Sequence, residues 1–208
     1  MNTIEYLKGI YGYNNPIFLK DIRIGGKSKT AIRQELSRAV KKGKIERKDE
    51  GIYFFSEKGL DVPSTISFES IVQKRFIEDE LLPGLALDIY GYYSGQTFLH
   101  LIGISQQVPA VLEITTNNTS CKRLFVIGKR KAILRKGRTE ITRLNYKALQ
   151  FFDIFSFLDD EDVEKNKELL LDYIKQNLTR KDYVDNIKYY PNRVNKLIVE
   201  KGFIHAFR

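Results

Sequence analysis

Apolar positions in the first 60 residues recur first with helical spacing and then at strand-like density. Ile4, Leu7 and Ile10/Tyr11 fall on one helical face, with Thr3 available as a cap. Gly12 and Asn14-Asn15-Pro16 interrupt that pattern, and Ile17, Phe18 and Ile22 predict a short second helix closed by the turn at Gly25-Gly26. Ser28 then caps a third helix reaching about Lys42, with Ile32, Leu36, Ala39 and Val40 in a narrow stripe and Gly43 as terminator. Lys44–Arg47 and Ile52–Phe55 read as strands, and Lys48-Asp49-Glu50-Gly51 between them has the chemistry of a hairpin turn. Helix, helix, turn, helix, hairpin is the order of a winged helix-turn-helix, assigned to residues 1–60.

Turn formers from Gly59 to Thr65 predict a domain junction near residues 58–66. Beyond it, residues 66–208 read as a mixed α/β domain with C-terminal helices, which makes the whole chain α+β. Phe68 to Phe76 is a helix, and Leu85–Tyr90 is a short strand or a helical continuation. Ser94 caps a helix with Phe98, Leu101 and Ile102 on one face. Val108–Thr116 and Arg123–Ile127 are strands separated by an Asn117-Asn118 turn, and Ala132-Ile133-Leu134 is a third. A helical tail starts at about residue 144, with one helix carrying Leu144 to Phe155 and one carrying Val163 to Leu178. A last helical stretch from Asp182 to Arg208 is interrupted at Tyr190-Pro191.

Charge sharpens this division. The chain carries a net +9, but residues 1–60 hold +6, residues 61–120 hold −5, and residues 121–143 hold +8. A basic block attracts phosphate by releasing counterions, or is simply a solvated face. Opposite the apolar stripe of the third helix lie Thr30, Gln34, Ser37, Arg38 and Lys41, with Arg33 on the flank and Ser28 and Lys29 at the start. Arginine can donate twice to guanine, and glutamine can pair with adenine, so this face suits a major groove. Lys44, Arg47 and Lys48 at the hairpin are placed to hold backbone phosphates, which fix register without reading sequence. In the second block, Lys129, Lys131, Arg135 and Arg138 form a second basic surface. It is open to three readings: a phosphate contact, an RNA or acidic-protein contact, or an edge strand protected by its charges.

Other chemistry is sparse. The sequence contains neither a P-loop nor a dinucleotide fingerprint. With one cysteine, Cys121, and two distant histidines, His100 and His205, the usual zinc clusters cannot be assembled. No catalytic residue, metal or cofactor is expected. His100 reads as a packing or capping residue and Cys121 as a reduced structural thiol. Asp88 and Glu113 have a faint likeness to the acidic pair of metal-dependent nucleases, but Thr115 stands where such sites usually carry lysine. Lacking a secretory pattern or a membrane-length apolar run, the chain is expected in the cytoplasm, away from membranes.

Three ordered segments carry a family likeness. They are Ala39–Arg47 with Gly51-Ile52-Tyr53-Phe54, then Tyr93-Ser94 through Leu101–Ile104 to Gln107-Val108-Pro109, then Glu113–Thr116 followed by a basic strand and helices. In these the chain resembles the AbiEi-type antitoxins of type IV toxin–antitoxin systems over most of residues 1–160. The resemblance implies a winged helix that represses its own operon at operator repeats. It also implies a C-terminal domain that opposes a nucleotidyltransferase-like toxin without a tight complex. Two other readings stand beside it: a plain transcription regulator with a sensing or assembly domain, and a metal-dependent nuclease using Asp88 and Glu113.

Overall fold

A computed structural model describes residues 2–57, 65–79 and 88–208. Much of the expected junction, and Leu85 to Leu87 of the next expected element, lie outside the described residues. The fold is α+β and divides into two compact units, Met1–Lys74 and Arg75–Arg208. No helix among the described residues is long and apolar enough to cross a membrane.

The first unit holds α1 (Thr3–Tyr11), β1 (Ile17–Phe18), α2 (Lys29–Lys41), β2 (Glu46–Asp49) and β3 (Ile52–Phe54). Asn2, not Thr3, caps α1: its Oδ1 accepts from the Ile4 amide at 3.0 Å, while Thr3 is buried inside the helix. The short second helix is absent. Ile17 and Phe18 form β1 instead, antiparallel to β3, opposite Tyr53 and Ile52. Pro16 sets an extended entry to this pair, and both residues are buried, as expected of a strand covered on both faces. The sheet order is β1-β3-β2, and a bulge between Arg47 and Asp49 bends the hairpin. The turn itself is Glu50-Gly51, with Gly51 at φ 68°. Leu7, Ile32, Leu36, Ile45, Tyr53 and Phe55 join in one apolar core beneath α1 and α2.

The chain crosses between units within α3 (Phe68–Phe76). In the second unit, β4 (Glu78–Asp79) pairs with β5 (Asp88–Ile89). A four-stranded sheet contains β6 (Gly91–Tyr93), β7 (Val111–Thr116), β8 (Arg123–Ile127) and β9 (Arg130–Lys136), in the order β6-β7-β9-β8. The β7–β9 pair is parallel and the other two are antiparallel. Between β6 and β7 runs α4 (Gly95–Leu101), which buries Phe98 and Leu99 but leaves Leu101 exposed.

The helices α5 (Tyr146–Ile154), α6 (Asp160–Lys165), α7 (Lys167–Asn177), α8 (Arg180–Asn186) and α9 (Asn192–Glu200) follow the sheet. The expected single helix from Val163 to Leu178 is broken at Asn166. Its apolar stripe runs on across the break, with Val163, Leu170 and Ile174 all fully buried. Phe151 centres the core: its ring stacks on Tyr173 at 5.5 Å and meets the edge of Phe155 at 5.4 Å.

Candidate nucleic-acid interface

The candidate interface is built on α2. Ser28 Oγ accepts from the Ala31 amide at 3.2 Å, satisfying one of the orphan donors of the first turn. Ile32, Leu36 and Ala39 are buried and fix the rotation of the helix. Lys29, Thr30, Arg33, Gln34, Ser37, Arg38 and Lys41 are all exposed. The one acid of α2, Glu35, is half-buried on the flank. Lys27 Nζ lies 2.8 Å from both of its carboxylate oxygens and 2.8 Å from Thr3 Oγ1. Those hydrogen bonds, Lys27 first, hold the Glu35 carboxyl below the usual glutamate range. Lys27 therefore neutralises the single negative charge of the helix and ties it to the start of α1.

Lys44, Arg47 and Lys48 are exposed at the hairpin. Ile45, buried between Lys44 and β2, anchors this stretch to the core. Lys48 Nζ donates to Thr65 Oγ1 at 3.0 Å, and Arg47 Nε donates to the Asp49 carbonyl at 3.2 Å. Lys44 lines a groove of about 560 Å³ with Lys8, Lys42, Tyr13 and Phe55; Lys48 is not part of that lining.

The structure separates the second basic set. Lys131 and Arg135 share one face of β9, as alternation predicts, and Lys129 and Lys131 are exposed. Arg135 is drawn into an ion pair, however, with Nη2 at 2.6 Å from Glu113 Oε2. Arg138 pairs with Asp153 at 3.5 Å and lies 5.0 Å from the Tyr190 ring centre. Two of the four cations are thus committed to internal partners.

Glu113 and Asp88 sit on different sheets. Besides Arg135, Glu113 accepts from the Gln96 amide at 3.3 Å at the start of α4. It takes the capping role expected of Ser94, whose buried Oγ has no hydrogen-bond partner. Gly95 makes room: its φ is +54°, and a Cβ there would stand 2.6 Å from the Glu113 carboxylate. His100 Nδ1 lies 3.1 Å from the Ser105 carbonyl oxygen, closing the turn after α4. His205 and Cys121 are exposed. No cluster of three or more His, Cys, Asp or Glu capable of holding a metal occurs among the described residues.

Sequence reasoning missed one buried polar group. Tyr92 donates to Asp153 Oδ2 at 2.7 Å, and Tyr190 donates to the Leu149 carbonyl at 2.7 Å beside it. Burial pushes the Asp153 carboxyl above the usual aspartate range against the opposing pull of Tyr92 and Arg138. Burial also raises the Tyr92 and Tyr190 hydroxyls well above their ordinary value. The available signal was a lone acid in the apolar run Leu149–Phe155.

No known family model matches the chain, and neither does any curated protein.

Proposed function

We propose that the chain binds double-stranded DNA through the first unit, with α2 as recognition helix and the β2–β3 hairpin as wing, and that it represses its own operon. The supporting observation is the exposed face of α2, which carries Arg33, Gln34, Arg38 and Lys41 while its only acid is held on the flank by Lys27. A helix fits the major groove, about 12 Å wide, and this face carries donors for base edges and for phosphate. The element order helix, strand, helix, hairpin, with β1 completing the sheet, suits a reduced winged helix without a separate second helix.

The antitoxin role rests on the resemblance of residues 1–160 to AbiEi-type antitoxins. In this reading the second unit opposes a nucleotidyltransferase-like toxin whose gene neighbours this one. Two tests separate the roles. Fluorescence anisotropy with the protein's own upstream DNA tests binding. Co-expression with the neighbouring gene product tests antitoxin action, and continued growth arrest would remove that half of the proposal.

A further inference from the structure

β8 is an edge strand, hydrogen-bonded among the described residues only to β9. The β8–β9 turn has two central residues, Gly128 and Lys129, with Gly128 at φ +56°, as a tight hairpin requires. In such a hairpin the closing pair, Ile127 and Arg130, exchanges hydrogen bonds, and so do Phe125 with Ala132 and Arg123 with Leu134. The amides and carbonyls of Leu124 and Val126 consequently point away from β9. Their side chains are also unusually open, Leu124 52% and Val126 43% exposed. An edge that presents both free backbone groups and aliphatic side chains is a template for another strand.

We infer that the free edge of β8 accepts an extended acidic segment of a partner protein as an added strand. Charge selects the partner. Between residues 121 and 138 the chain has eight bases and no acid. Arg135 and Arg138 are spent on Glu113 and Asp153, but Lys122, Lys129 and Lys131 remain exposed around the edge. A strand with two aliphatic residues facing Leu124 and Val126, and acidic residues before and after them on the same face, would seat its apolar side chains on that pair and its carboxylates near Lys122 and Lys129 at the two ends of β8. A second copy of the chain is disfavoured. Antiparallel self-pairing about Phe125 would set Lys122 of each copy opposite Gly128 of the other, one residue from the other's Lys129, bringing like charges together at both ends. Single-stranded nucleic acid is also a poorer match, because the exposed face offers aliphatic side chains rather than aromatic stacking platforms. The inference does not depend on DNA binding by α2.

A synthetic peptide with a Val-Thr-Val centre flanked by glutamates at both ends, titrated into the isotope-labelled full chain and followed by NMR, tests this directly. The expected result is saturable shifts at Leu124 and Val126 and exchange of those two amides slowed on the order of tenfold. Val126→Pro removes an outward N–H without breaking the β9 ladder and is expected to weaken binding by about tenfold or more. Should that variant fail to fold, Leu124→Glu adds a repelling charge on the same face and carries the same expectation. Three results would each overturn the inference. They are equal binding of the same peptide with lysines in place of the glutamates, shifts with oligo-dT but none with the acidic peptide, and a concentration-dependent dimer abolished by the β8 variants.

Discussion

Lys27 and Glu35 meet with Nζ 2.8 Å from both carboxylate oxygens, joining the segment before α2 to its second turn. Glu35 ionises at lower pH in the folded chain than in the unfolded one. Its contribution is therefore fully present above the unfolded glutamate pKa of about 4.3 and is lost as pH falls through the folded value. For a pair at this exposure the expected size is about 0.5–1 kcal/mol. Urea midpoints of wild type and Glu35→Gln should differ at pH 7 and converge near pH 3. A constant difference across that range would contradict the assignment.

Gly95 and Glu113 are interdependent. Alanine at 95 faces a left-handed backbone cost of about 1–2 kcal/mol and also pushes the Glu113 carboxylate away from Arg135. With Glu113→Ala in place the steric part vanishes and only the backbone cost remains. A double-mutant cycle by chemical denaturation should show Gly95→Ala costing less in the Glu113→Ala background. Strict additivity would refute the coupling.

Asp153 behaves oppositely to Glu35. Its carboxyl is held above the ordinary aspartate value, so the folded chain loses stability as pH rises from about 3.9 through the raised value. Asp153→Asn keeps an acceptor for Tyr92 and escapes that loss. It should lie within about 1 kcal/mol of wild type at pH 7, gaining on it as pH rises from 3. Asp153→Ala strands the Tyr92 hydroxyl and should cost about 1–3 kcal/mol. Melting temperatures across pH check both, and equal losses in the two variants would exclude the account.

Where one period dominated, the elements were legible. The stripe of α2, the helix Phe68–Phe76 and the strand Arg123–Ile127 follow directly from spacing. Ile17-Phe18 was not legible, because two apolar residues fit either period and only the partners Tyr53 and Ile52 decide. The break at Asn166 was hidden for a different reason: the buried stripe continues across it. Site residues on α2 could be placed on an exposed face because one helix carries them all. The commitment of Arg135 to Glu113 was not visible, since it depends on the parallel register of β7 and β9 across 22 residues.

Lys44 and the α2 arginines should affect DNA binding differently. If Lys44 contacts phosphate, Lys44→Ala lowers affinity evenly across sequences and reduces the salt slope by about 0.9. Titrations of operator and scrambled duplexes over a salt series measure this. A loss confined to the operator would show that Lys44 reads sequence instead.

The most direct measurement is anisotropy of the full chain with its own upstream duplex, comparing wild type with Arg33→Ala plus Arg38→Ala. Wild type is expected to prefer that duplex over a scrambled one by at least about 10³-fold. The double variant should lose about 1–3 kcal/mol per base contact, along with most of the preference, while its melting temperature stays unchanged. Undiminished, sequence-selective binding by the double variant would contradict the assignment of α2 as the recognition helix.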